Sequence, residues 1–421
     1  MSFPPEPSGR VVVTGVGAVT PLGTGVDVFW PRVVAGESGV RRITNIDPTP
    51  YATQVAAEVP DFNIEDWYCE NFEKKDARRM DKFIHFAIAS ARQALDDSGI
   101  ELTEDLRNEF GVLIGTGVGG LGIMYDNTAF IHGGKPDRVS PFFVPYMIAD
   151  MASGMVSIIN DLRGPNHTVV SACSTGANAI GDSYEMIKRG DAVAMLAGGT
   201  EAAINDIGIA GFCACRAMTN RNDEPLRASR PFDVDRDGFV MGEGSAVLVL
   251  EDRDHAIARG AKIYAEIIGY GMSADAYHIT SPHPEGRGAA KSMTMALRKA
   301  KLQPEQIDYI NAHGTSTPVG DPMEVSAVKK VFGDHAYKLA MSSTKSMHGH
   351  TLGAAGAIES LICILAMRDG VMPPTINLEN PDPACDLNHV PNVAQKRELT
   401  YVLNNSFGFG GHNVSLIMTK G

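Results

Sequence analysis

Cys173 stands in the run Ser171-Ala172-Cys173-Ser174-Thr175-Gly176, directly after the apolar stretch Thr168-Val169-Val170 and directly before the helix-like run Ala177 to Lys188. A thiol at such a strand-to-helix junction meets free backbone amides and the positive end of the helix dipole, both of which favour thiolate. The chemistry on offer is nucleophilic attack with formation of a thioester. A single cysteine at a strand end is, however, commonly a packed core thiol, so its partners have to be sought elsewhere in the chain.

Three further stretches carry groups that would complete such a site. In Tyr309-Ile310-Asn311-Ala312-His313-Gly314-Thr315-Ser316-Thr317 a strand delivers a histidine into a loop of glycine and hydroxyls, the rigid edge on which catalytic groups often sit. Ser342-Ser343-Thr344-Lys345-Ser346-Met347-His348-Gly349-His350 leads into the small-residue run Gly353 to Ile358 and then Glu359, so Lys345 and Glu359 form a possible charge pair. His348 and His350 would also suit a metal, but no third ligand follows at a recognisable spacing and Cys213-x-Cys215 does not complete one. Asn404 to Asn413 holds Phe407-Gly408-Phe409-Gly410-Gly411, whose unshielded amides would donate to an oxyanion. Gly115-Thr116-Gly117-Val118-Gly119-Gly120 fits the dinucleotide fingerprint literally, but it lacks a clear helix start and Asp137 is only an approximate ribose ligand. An NAD-dependent oxidoreductase is therefore a remote alternative.

Positioning these groups takes strands and helices in alternation. Val11–Thr14, Val112–Ile114, Thr168–Val170, Ala246–Leu250 and Ile307–Ile310 read as strands buried on both faces. Lys82 to Asp97 and Lys291 to Lys301 have helical spacing, and the first stops close to Gly99. The alternation predicts a largely parallel α/β sheet. Near Gly260 the pattern restarts: a strand through Ile263–Ile268 ends in Gly-Tyr-Gly much as Val11–Val13 ends in Gly15-Val16-Gly17. The 421 residues are thus expected to form two α/β halves, 1–260 and 261–421, packed together.

Composition excludes several classes. With 37 Lys+Arg against 50 Asp+Glu the net charge is −13, so no nucleic acid or anionic membrane is expected as a partner. Hydrophobic residues at 44% and charged residues at 21% exclude a disordered or coiled-coil chain. Six cysteines are too few for a disulfide framework, the start Met1 to Pro7 does not look like a secretory signal, and no apolar run approaches the ~20 residues of a membrane span. The expected location is the cytoplasm. Against the acidic background, Lys74, Lys75, Arg78, Arg79 and Lys82 place five positive charges in nine residues, four of them on one face if the segment is helical.

In combination and order these stretches resemble the elongating β-ketoacyl-acyl carrier protein synthases, most closely synthase II. The resemblance runs from about Arg10 to Met418 and includes Ser140 to Pro145, Arg230-Pro231-Phe232-Asp233, Arg236 to Val240 and Pro373 to Asn377. It implies a thiolase-type duplicated fold, a five-layered α/β/α/β/α sandwich, in a homodimer. It also implies decarboxylative Claisen condensation of malonyl-acyl carrier protein with a Cys173-bound acyl chain, extending a fatty acid by two carbons. A ketosynthase of a polyketide or specialised-lipid pathway is the alternative.

The resemblance assigns roles residue by residue. Cys173 takes the acyl chain, while His313 and His350 promote decarboxylation; initiating synthases resemble Cys-His-Asn sites and thiolases Cys-His-Cys. The amides of Cys173 and Phe409 hold the oxyanion, with Phe409 gating, and Lys345 and Glu359 support orientation. Val118, Phe143 and Phe407 line the acyl pocket, and Thr280, Thr315 and Thr317 meet the phosphopantetheine arm. No cofactor is bound, since phosphopantetheine arrives on the acyl carrier protein. That acidic partner docks on Lys74, Lys75, Arg78, Arg79, Lys82 and Arg216. Departures from the family pattern are His348, where threonine is commoner, and His412 in Gly411-His412-Asn413.

Overall fold

Ten of the eleven strands of the main sheet form one path. In chain order they are β1 (Val11–Thr20), β2 (Phe110–Gly115), β3 (Asn166–His167), β4 (Ala194–Glu201), β5 (Gly244–Asp252), β6 (Ala265–Ala274), β7 (Tyr309–Asn311), β8 (Ala340–Ser342), β9 (Tyr401–Gly408) and β10 (His412–Lys420). The computed structural model describes residues 7–421; Met1 to Glu6, on which the reading of the N-terminus rests, lie outside them. The spatial order is β8-β7-β9-β10-β6-β1-β5-β4-β2-β3, so the same series of positions runs outward from the β1–β6 contact in both directions. Only the outer pairs, β2 with β3 and β4 and β7 with β8 and β9, are parallel. The sheet is mixed, not largely parallel, because β4–β5 and β9–β10 pair antiparallel in each half.

Helices α3 (Thr175–Arg189) and α6 (Ala355–Asp369) lie between the two sets of strands and touch both. From Ala355 to Met367 every residue of α6 is buried, as a helix enclosed on all sides requires. Helices α1 (Lys82–Ser98) and α2 (Met151–Asn160) cover the outer face of the first half, and α4 (Arg287–Ala300) and α5 (Gly320–Phe332) that of the second. The result is five layers, α/β/α/β/α, with a central core between the strands and one apolar cluster under each outer helical layer. Among the described residues no helix is long and apolar enough to cross a membrane.

Two local expectations change. β1 does not stop at Gly15-Val16-Gly17 but runs on to Thr20, and its glycines serve packing: a Cβ on either would collide with a backbone carbonyl of α1. Gly269 and Gly271 meet α4 in the same way, so the repeated glycine pair marks a strand-on-helix contact in each half. Thr168–Val170 is not a buried strand. Regular pairing there is confined to Asn166–His167 at the sheet edge, and Val170 is 55% exposed.

Candidate active site

Cys173 sits in a single 3-10 turn, Ala172–Ser174, that opens α3. Ala172 is held at φ 50, a left-handed conformation costly for a residue with a side chain, and the turn thereby directs Cys173 toward the β9–β10 hairpin. Gly408 is needed opposite: a Cβ there would stand 2.6 Å from the Ser171 carbonyl oxygen and 3.1 Å from the Cys173 nitrogen. The Phe409 amide then donates toward the Cys173 sulfur. Cys173 is 7% exposed and lines a cavity of about 370 Å³ shared with His313, His350, Phe407 and Phe409.

The two imidazoles reach that cavity on mounts fixed by their backbones. The amides of His313 and Gly314 donate to Glu324 Oε1 and Oε2 at 2.9 and 2.8 Å, and Asn405 Nδ2 donates to the same carboxylate at 3.2 Å. His350 is strapped to Val240–Gly242, its amide donating to the Val240 carbonyl at 2.7 Å and its carbonyl accepting from Gly242 at 2.8 Å. The rings stand 5.4 Å apart between centroids at 88°. An aromatic chain, Phe409, Phe212 and Phe239, ends edge-on to His350. Lys345 and Glu359 form an ion pair with almost no exposed surface.

Burial and the Lys345 charge push both His313 and His350 well below the ordinary histidine range, each lowered a little further by a neighbouring imidazole. Both are neutral at pH 7 and can donate one N–H without carrying charge. Burial pushes the Cys173 thiol up to about 11, against the opposing pull of Lys345 and the Phe409 amide. The thiolate favoured by a helix terminus is thus overruled by desolvation, and the resting group is a thiol. One nucleophile, two neutral donors and a backbone oxyanion site around one cavity suit acyl transfer followed by stabilisation of an enolate.

Comparison with known proteins agrees. Residues 8–256 match the beta-ketoacyl synthase N-terminal domain and residues 264–379 the beta-ketoacyl synthase C-terminal domain. This chain belongs to the β-ketoacyl synthase family. A 3-oxoacyl-[acyl-carrier-protein] synthase 2 of Coxiella burnetii is 54% identical over 411 residues, 98% of each chain. A beta-ketoacyl synthase from Burkholderia phymatum STM815 superposes with a TM-score of 0.90 at 38% identity, covering 98% of this chain and 99% of that one. The same TM-score, at 33% identity and 98% and 99% coverage, links it to a chain from a complex of a type II polyketide acyl-carrier protein with its ketosynthase bound to the hexaketide.

The β-ketoacyl synthase fold gathers most of the residues singled out from the sequence. Thr280, Thr315, Thr317 and Arg216 line the same cavity, with Arg216 exposed and held at φ 53. Thr315 and Thr317 hydroxyls bond each other at 3.1 Å. Val118 and Phe143 stand outside that cavity in the single chain, Val118 being 42% exposed. The basic stretch does not form one helical face. Lys74–Ala77 is a single helical turn, the chain breaks at Arg78–Asp81, and α1 starts anew at Lys82. Lys82 bonds the buried Glu243 at 2.6 Å, Lys74 pairs with Glu65, Lys75 with Glu73, and Arg79 covers the Phe142 ring. The Gly115–Gly120 loop does precede a helix, Leu121–His132, but the Gly117 and Val118 amides donate to Glu201, which leaves no phosphate cradle. Sequence reasoning missed Glu324 and Glu201. Glu324 looks like an ordinary charge on an amphipathic helix, and Glu201 like a polar strand end, although a carboxylate after Gly198-Gly199-Thr200 is itself an unusual sign.

Proposed function

We propose that this chain is a 3-oxoacyl-[acyl-carrier-protein] synthase of the elongating kind, with Cys173, His313 and His350 as its catalytic residues. The observation that carries the reading is the convergence of one thiol and two neutral imidazoles on one cavity. Cys173 attacks an acyl thioester; the carrier's thiol leaves with the proton and the acyl chain remains on sulfur. In malonyl-carrier protein the C–CO₂ bond then breaks, and its electron pair forms an enolate whose oxygen accepts from His313 and His350. The enolate carbon attacks the Cys173 thioester, the Cys173 and Phe409 amides hold the oxyanion, and collapse releases the β-ketoacyl product and expels Cys173 as thiolate, which takes a proton from solvent to restore the thiol. Burial and the Lys345 charge keep both imidazoles neutral, and the buried Lys345–Glu359 pair supports their orientation.

Phosphopantetheine would enter along Thr280, Thr315 and Thr317, and the acidic carrier would be met by Arg216 and by the exposed Lys74, Lys75, Arg78 and Arg79. Lys82 is committed to Glu243 and contributes only at the margin. A homodimer in the cytoplasm completes the reading, with the chain divided as 1–260 and 261–421. Exposed Val118, Tyr125, Phe130, Ile131 and Val144 support a covered face beside Phe143, where a second copy would close the acyl pocket.

The test is intact-mass analysis of wild type and Cys173→Ala with acyl-carrier protein, then malonyl-carrier protein. A wild-type adduct that is absent from the variant and yields a β-ketoacyl product two carbons longer is expected. No adduct across several acyl lengths on a competent carrier would overturn the assignment. Preference for long intermediates carrying several keto groups would favour the polyketide alternative.

A further inference from the structure

Glu201, the last residue of β4, has no exposed surface and takes part in none of the steps above. Its carboxylate accepts from four donors. Thr116 Oγ1 at 2.7 Å and the amides of Gly117 and Val118 at 2.8 and 3.3 Å come from the loop after β2. The Gly353 amide, at 2.9 Å, comes from the turn three residues beyond His350. A Cβ on Gly117 would stand 2.8 Å from Glu201 Oε2, 3.3 Å from the Gly353 nitrogen and 3.4 Å from the Ala172 carbonyl oxygen. The carboxylate therefore lies where three segments meet: the loop carrying Val118, the turn after His350 and the residue before Cys173.

Three of the four donors are amide N–H groups, which cannot accept a hydrogen, so the ionised form satisfies all four while a protonated carboxyl could turn its hydrogen only to the Thr116 hydroxyl. Such charge-assisted bonds are stronger than neutral ones and fix their donors in direction. Burial raises Glu201 and its four donors oppose that.

We propose that Glu201 is a positioning residue for Cys173 and His350, a fixed buried carboxylate that clamps the Val118 loop and the turn after His350 beneath the nucleophile's turn. The inference rests on the condensing reading only for its activity readout. Its charge also acts on the thiol: of the charges near Cys173, Lys345 favours thiolate and Glu201 opposes it, while the cavity wall carries the neutral His313 and His350 together with Glu324, Asp237, Asp275, Arg216 and Cys215.

The experiment uses the full chain with Glu201→Gln, which keeps the shape, and Glu201→Asp, which keeps the charge. Iodoacetamide alkylation of Cys173 is followed from pH 6 to 9 by peptide mass, and kcat and KM are measured with acyl- and malonyl-carrier protein. In Glu201→Gln the alkylation profile is expected to move to lower pH, so that the rate at pH 7 rises several-fold. Its kcat should fall by about tenfold or more with KM little changed, since loss of sub-ångström placement is costly. Glu201→Asp should leave the profile in place with an intermediate kcat. A wild-type profile and kcat in folded Glu201→Gln would overturn the proposal, as would equal losses in both variants that follow the unfolded fraction without any shift in profile. If Glu201→Gln does not fold, Thr116→Val removes one donor and no charge; a wild-type kcat there would also overturn it. A wild type that forms no β-ketoacyl product sinks the condensing reading and leaves the alkylation arms to decide this one.

Discussion

The turn Ala172-Cys173-Ser174 and the turn Leu352-Gly353-Ala354 are one structural device placed in both halves. Each is a 3-10 turn that opens a central helix, and each begins with a non-glycine residue in the left-handed region, Ala172 at φ 50 and Leu352 at φ 49. The two helices cross at reciprocal glycines: a Cβ on Gly176 would press on the Ala357 nitrogen, and one on Gly356 on the Ala177 nitrogen. What differs is the residue that faces each turn. Gly408, last in β9, leaves room for the backbone of the Cys173 turn and brings the Phe409 amide to the sulfur. Glu201, last in β4, fills the corresponding place and takes the Gly353 amide for itself. A strained turn at a helix start is thus no site by itself; the facing strand end decides whether a cavity or a carboxylate stands there.

The largest effect comes from stripping the first turn of the groups across its cavity. His313→Ala or His350→Ala is expected to lower malonyl-carrier decarboxylation by about 10²–10⁴-fold, the range of a lost proton-donating group, while acyl transfer to Cys173 persists; released carbon dioxide and intact mass report the two steps separately. If acylation fell equally, the division of labour between thiol and imidazoles would be wrong. Next in size, Lys345→Met leaves the buried Glu359 without its cation, a change worth about 3–5 kcal/mol in urea unfolding. The double variant Lys345→Met/Glu359→Leu should recover most of that stability without recovering condensation. The second turn is probed by Gly353→Ala. Its Cβ would collide with the Gly117 nitrogen and stand 2.7 Å from Glu201 Oε2, so a loss of roughly 3 kcal/mol, the upper end for overpacking, is expected. Cys173→Ala, which only trims the equivalent position, should cost much less. Equal losses at both positions would mean that the two turns are not packed differently.

Much of this was legible in the sequence where chemistry is local. The strand that carries His313, the helix after Cys173 and the glycine-rich hairpin around Phe409 all announce themselves in short runs, and the glycine pairs Gly15/Gly17 and Gly269/Gly271 are visible as a repeated pattern. What was not legible depends on pairing across long separations. Glu201 and Gly353 lie 152 positions apart, and nothing near either one names the other. The same holds for Lys82, whose charge reads as a free surface cation until the fold brings Glu243 to it. Helical spacing misled at Lys74–Lys82, since Asp76 caps the short turn by bonding the Glu73 amide and the chain then turns away. The position of Val118 and Phe143 outside the Cys173 cavity could not be read either, because which loops line a cavity is set by tertiary packing and leaves no periodic trace in the chain.

The smallest effect tests an asymmetry between the two approaches to these turns. Thr168 to Ala172, entering the first, has no ionisable side chain, whereas His348 and His350 enter the second. His348 is fully buried, with Nε2 3.1 Å from Thr344 Oγ1 and Nδ1 without a partner, and burial beside Lys345 pushes it down to about 3. An unfolded histidine titrates near 6.5, so between these values the unfolded chain binds one proton more than the folded one. The stability this group contributes is therefore complete above about pH 6.5 and is lost as pH falls toward 3. At pH 5.5 the loss is about 1.4 kcal/mol. Glu324 and Glu359, raised by burial to about 7, act in the opposite sense, binding protons first in the folded state as pH falls from 7 toward the ordinary carboxylate range. His313, His350 and His389, also lowered by burial, act in the same sense as His348, so the contribution of His348 is read from the difference between wild type and variant. His348→Thr is expected to lose about 1.4 kcal/mol less than wild type between pH 7.5 and 5.5 in urea unfolding. Identical acid limbs for the two proteins would mean that His348 does not take up its proton on unfolding, and that the acid response of the second turn's approach lies elsewhere.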